Sequence, residues 1–93
     1  MFDHVLRRMR ILVRASHYIL TVHGHEEMEV DRLTTYDVEH VILSGRIVER
    51  QRDHRTHEWK YLVEGEMLDG DGAIVVGKIG PTGTLVVLTV YAL

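Results

Sequence analysis

The chain contains no cysteine, which excludes disulfides, thiolate metal sites and a cysteine nucleophile. No apolar run approaches the roughly 18–20 residues that a membrane-spanning helix needs. The opening MFDHVLRRMRILVR carries charge throughout, unlike a secretory signal, so a cytoplasmic protein without membrane contact is expected. No glycine loop precedes a helix to cradle phosphate, and there is no Gly-x-Ser-x-Gly elbow or dinucleotide fingerprint. Nucleotide-dependent and serine-hydrolase chemistry are thereby set aside. Internal repeats, linkers and low-complexity tracts are also missing. So is an excess of positive charge: the net charge is −3, whereas a nucleic-acid binder typically presents a net basic surface.

What is present fits one folded domain. Ninety-three residues form a single core, and 45% hydrophobic with 27% charged residues is ordinary for such a domain. The charge is unevenly placed. Arg7, Arg8, Arg10 and Arg14 open the chain, and Glu26, Glu27, Glu29, Asp31, Asp37 and Glu39 dominate the next third. Arg46, Arg50, Arg52, Arg55 and Lys60 follow.

The spacing of Phe2, Val5, Met9, Leu12 and Val13 predicts a helix over about residues 2–14, with Asp3, Arg7, Arg10 and Arg14 on its solvated face. Ser16 is a candidate N-cap for a second helix from His17 to about Val30. β-branched Ile19, Thr21 and Val22 offer the alternative of a short strand, with the helix starting after Thr21. Gly24 in such a helix points to close approach of another backbone. Thr34 to Asp37 matches a capping box, Val38, Val41 and Ile42 form an apolar stripe, and Gly45 stands where a left-handed stop belongs. A helix over 35–44 follows.

From Arg46 the pattern alternates. Residues 46–52 read as a polar edge strand, and Trp59, Tyr61 and Val63 mark a half-buried one. Residues 65–72 are turn material, 73–79 and 85–92 are strands apolar on both faces, and Gly80-Pro81-Thr82-Gly83 is a hairpin turn. The expected architecture is α+β, with two to three N-terminal helices on one face of a four-stranded antiparallel meander. The helices do not cover both apolar faces, which leaves a homodimer or partner interface as an expectation.

Tyr18, the run Thr21-Val22-His23-Gly24, Met28, Asp37-Val38, Gly45-Arg46-Ile47-Val48, Tyr61, Gly65, Gly72, Val75-Val76 and Thr89-Val90-Tyr91 occur together in order. With these residues the chain resembles the small bacterial domains grouped as domain of unknown function number 4258, over about residues 18–91. That family looks related to the RelE-type toxins and to barnase-like and colicin-type ribonucleases. The resemblance implies a compact ribonuclease-type fold, RNA cleavage without metal or cofactor, and a zinc-finger-type antitoxin as partner. Its alternative is a catalytically inactive interaction module on the same fold. Where the family commonly has an arginine before the Met28 position this chain has Glu27, and Asp31-Arg32-Leu33 stands where an Arg-Gly-Ile-like turn is usual.

Metal-free RNA cleavage needs a group to move the 2′-hydroxyl proton and cations to hold the phosphate. His23, the family-matched histidine, is the candidate acid or base. Thr89 and Tyr91 are candidates to orient it or to stack on a base, and Arg50, Lys60 and Lys78 are candidates for phosphate contact. The plainer reading is that His23 hydrogen-bonds Thr89 or Tyr91 and locks helix to sheet. A metal site is not expected. His23 and His25 diverge on a helix, no zincin pattern follows His25-Glu26, and His54 and His57 lie in a turn. The acids of 26–31 read as a solvated helix face, or else as a docking surface for a basic partner.

Overall fold

The computed structural model describes residues 2–93. Helix α1, Asp3–Arg14, buries Leu6, Met9 and Val13, with Asp3 in its first turn and Arg14 in its last, as the helix dipole favours. Its end is reversed by Ser16, which takes a left-handed φ of 54°. The N–H of His17 bonds the Leu12 carbonyl at 2.8 Å and that of Ser16 the Val13 carbonyl at 3.0 Å, the paired bonds of a Schellman stop. Ser16 therefore ends one helix and does not cap the next, contrary to the first sequence expectation.

The chain leaves this reversal extended, and Tyr18–Leu20 becomes strand β1. Thr21 then caps helix α2, Val22–Val30, its Oγ1 accepting from the Gly24 N–H at 3.0 Å. The expected helix of 17–30 is thus divided along the alternative line, a strand followed by a helix after Thr21. A second Schellman stop closes α2: Arg32 has φ 57°, and the Leu33 N–H bonds the Met28 carbonyl at 2.8 Å.

Helix α3, Thr35–Ser44, starts at the expected capping box and buries Val38, Val41 and Ile42. The Asp37 carboxylate accepts the Thr34 N–H at 2.9 Å and the Leu68 N–H at 3.0 Å, tying the helix start to the turn after the third strand. The bond from the Thr34 N–H, chiefly, holds the Asp37 carboxyl below its ordinary 3.8. A depressed carboxyl stabilises the fold above its unfolded value and loses that contribution as pH falls through the folded one. Denaturant unfolding at pH 5 and pH 3 is expected to show a larger loss in the wild type than in Asp37→Asn. Equal losses would exclude this cap from the acid limb.

Four longer strands follow: β2 Arg46–Arg52, β3 Trp59–Glu66, β4 Gly72–Ile79 and β5 Leu85–Ala92. The sheet order is β1-β5-β4-β3-β2, antiparallel except that β1 lies parallel to β5, with Tyr18 opposite Leu85 and Leu20 opposite Val87. The fold is α+β with three helices, and the expected four-stranded meander is corrected to a five-stranded mixed sheet. β3 also runs through Gly65 to Glu66, so the turn before β4 is shorter than the sequence suggested.

Helix α2 does not lie across the sheet. It covers the edge of β5 beyond β1. The Thr21 N–H bonds the Val87 carbonyl, Thr21 Oγ1 bonds the Leu88 carbonyl at 3.1 Å, and Asp31 Oδ2 accepts the Ala92 N–H at 3.0 Å. A Cβ at Gly24 would stand 3.2 Å from the Val87 carbonyl oxygen, so glycine is what lets the helix come this close. The core lies between α1, α3 and one sheet face, centred on Met9, Val41, Ile42, Val63, Val75, Leu85, Val87 and Val90. Ile74 and Val76 are also buried but belong to the opposite sheet face.

Candidate functional site

Strand register decides which candidate side chains can meet, because alternate residues share a face. Leu62 pairs with Val76 and Val76 with Thr89, while Glu64 pairs with Ile74 and Ile74 with Tyr91. Lys60 and Lys78 lie two residues from Leu62 and Val76, so they share that face. Four of the six candidate residues, Lys60, Lys78, Thr89 and Tyr91, are thereby brought onto the side of the sheet away from α1 and α3.

Within this face they occupy different levels. Gln51 opposes Lys60, and Lys78 opposes Val86, which opposes Ile19. Tyr61 opposite Gly77 makes Lys60 and Lys78 the next rung. With strands about 4.8 Å apart, these residues form a row across one end of the sheet. Thr89 is one rung inward and Tyr91 a further one. Like charges directly opposite one another repel, and Glu58 relieves this pair by binding Lys78 Nζ at 3.0 Å. That bond, chiefly, holds the Glu58 carboxyl below its ordinary range. Lys78 is therefore partly spoken for, while Lys60 is not ion-paired among the described residues.

His23 belongs to α2, which lies along β5. Its neighbour Gly24 rests on the Val87 and Leu88 carbonyls, and Met28 points into the core. At 100° per residue, His23 and Glu27 fall together on one flank of α2, turned away from Met28. The imidazole is 71% exposed, with Nε2 2.7 Å from Glu27 Oε1. That oxygen is shut off from water, and the approach is out of line for a hydrogen bond. No hydrogen bond joins His23 to Thr89 or Tyr91 among the described residues. Both sequence readings of this contact are corrected: Thr89 and Tyr91 do not orient the imidazole by a hydrogen bond, and the ring does not lock helix to sheet, which Thr21 and Asp31 do instead.

Arg50 is not on this face. It opposes Tyr61, which packs edge-on against Phe2, and so lies on the helix side at the sheet's outer edge. There its guanidinium carbon stands 3.8 Å from the Trp59 ring centroid. Sequence reasoning missed Glu27 as a partner for His23, although their spacing of four on a helix was the available signal. It also missed the Arg50–Trp59–Arg52 grouping, visible only once Arg52 is known to oppose Trp59.

Among the described residues no three His, Asp or Glu side chains converge on one point, and no helix is long and apolar enough to cross a membrane. No curated protein and no solved structure matches the chain. A family model does, that described as Domain of unknown function (DUF4258), over residues 20–92, which takes in every element from the end of β1 to the end of β5. With most of its length so matched, the chain belongs to the DUF4258 family.

Proposed function

We propose that this domain is a RelE-like, toxin-type RNA endonuclease that works without metal, its substrate crossing the uncovered sheet face. The observation that carries the reading is the exposed His23 imidazole 2.7 Å from Glu27, on the helix along β5, with Lys78 and Lys60 on the outer face of the next two strands. Histidine is the side chain suited to exchanging a proton near neutrality. In the proposed step a 2′-oxygen attacks its own phosphorus, its proton passes to His23, and the bond from phosphorus to the 5′-oxygen breaks. Water protonates the leaving oxygen, and the hydroxide so formed takes the proton back from His23. The products are a 2′,3′-cyclic phosphate and a 5′-hydroxyl. Glu27 supports the imidazolium so formed, and Lys60 stabilises the phosphorane charge. A zinc-finger-type antitoxin would act by covering this face.

Expression in bacteria is expected to slow growth and fragment RNA for the wild type, and His23→Ala is expected to restore both. With purified protein in chelator the variant should cleave roughly 10²–10⁴-fold more slowly, the usual worth of a general acid or base. Equal growth and intact RNA for both proteins would remove the nuclease.

A second reading, an inactive protein-interaction module, is favoured by Glu26, Glu27 and Glu29 on α2 and by the neutralisation of Lys78. It expects a folded, harmless protein that binds its partner equally well with and without His23.

A further inference from the structure

The sole tryptophan lies at the start of β3 and is 36% exposed. The guanidinium carbons of Arg50 and Arg52 stand 3.8 and 4.2 Å from its ring centroid, and that of Arg50 is 5.1 Å from the Phe2 ring. Beside Trp59 opens a cleft of about 300 Å³, lined by Val5, Arg8, Glu58, Trp59, Tyr61 and Ile79. None of Arg8, Arg50 and Arg52 forms an ion pair among the described residues. The nearby acids are already engaged: Glu58 holds Lys78, and Asp53 Oδ1 accepts the Arg55 and Thr56 N–H groups. A protein of net charge −3 thus gathers unneutralised arginines around an exposed aromatic ring.

Individual cation–π contacts at a surface are weak, and beyond them only Arg52 is bonded among the described residues, its Nη1 donating to the His57 carbonyl at 2.6 Å, so the fold gains little from setting Arg50 on the ring. A polyanion with flat rings would gain from every part of the arrangement. We infer that this cluster is a stacking site for the bases of single-stranded RNA, with one base entering the cleft against Trp59 and neighbouring phosphates meeting Arg8, Arg50 and Arg52. An acidic peptide would satisfy the arginines but leave the ring and the cleft unused. The inference deepens the RNA reading above and rests on it. Lys60 follows Trp59 directly and points to the other face, so a strand leaving the lysine row around the start of β3 reaches the cluster.

The test uses the full chain carrying His23→Ala, so that RNA survives the titration. Fluorescence of Trp59 is followed against a ten-nucleotide single-stranded RNA, the same RNA as a duplex, and polyglutamate of equal length. Saturable quenching by the single strand, weaker with duplex, is expected. Arg50→Ala with Arg52→Ala should weaken binding about tenfold or more and reduce the salt slope by about 1.4, at roughly 0.7 per phosphate contact. Trp59→Phe, followed with end-labelled RNA, should weaken it by roughly tenfold. Circular dichroism of each variant must match the parent. Absent quenching, equal quenching by polyglutamate, or unchanged affinity in correctly folded variants overturns the stacking site. Quenching without cleavage by the wild type leaves the site and removes the nuclease. Cleavage without quenching does the reverse.

Discussion

Gly45→Ala is expected to lower the unfolding free energy by about 3 kcal/mol or more, the upper end for forcing an atom into a filled space. A Cβ at this position would stand 2.3 Å from the Glu64 carbonyl oxygen and 2.5 Å from that of Val41. Both are backbone atoms, so no rotamer change relieves the clash. α3 and β3 would have to separate. Gly65 meets the same junction from the other side, its Cβ position 2.5 Å from the Val41 carbonyl oxygen and 3.0 Å from the Gly45 Cα. The backbone at Gly45 is extended, with φ −93° and ψ −164°. The left-handed stop expected there is thus replaced by a demand for space. Thermal unfolding should fall by on the order of 15 °C for a domain of this size. Gly80→Ala, whose new atom would meet nothing closer than 3.7 Å, is the near-silent control. A Gly45→Ala protein melting within a few degrees of the wild type would show that the junction yields.

The second large effect is expected at Arg10. On sequence spacing this residue belonged to the solvated stripe of α1 with Arg7 and Arg14. Instead its Nε donates to the Ile42 carbonyl at 3.0 Å and a terminal nitrogen to the Gly45 carbonyl at 2.7 Å, closing the C-terminal end of α3. That end has no glycine in left-handed geometry and no basic residue in its own last turn. Arg10 supplies from another helix both the donors and the positive charge that the helix end favours. Hydrogen bonds to charged groups contribute about 1.5–3 kcal/mol, and the two here share one side chain, so Arg10→Ala should cost about 2–3 kcal/mol. Arg10→Lys should recover less than half, since an ammonium cannot present two fixed parallel donors. Urea unfolding measures both. Full recovery by lysine would mean that charge alone matters.

Elements whose cause is local were legible. The capping box at Thr34 and Asp37, the apolar stripe of α3, the turn at Gly80 to Gly83 and the edge character of β2 follow from side chains and near neighbours. Elements decided by distant partners were not. Tyr18–Leu20 is too short to announce itself and becomes a strand because β5, more than sixty residues on, offers it an edge. The stops at Ser16 and Arg32 carry no glycine to mark them. For the site, alternation along β5 told that Thr89 and Tyr91 share a face, while that Lys60 and Lys78 join them follows only from the register between strands. Arg50 fell on the other face by the same rule. The pairing of Lys78 with Glu58 depends on how β3 and β4 align across a hairpin, which composition does not reveal.

The last of the five strands in chain order is not at the margin of the sheet but between β1 and β4, with α2 along its remaining edge. Until residues 85–92 leave the ribosome, β1 has nothing to pair with and the seat of α2 does not exist. At about 5–20 residues per second β1 and α2 wait several seconds for their partner strand. A chain in which β5 is not yet in place therefore lacks the seat of β1 and α2, and whatever this domain does begins only once that strand has formed.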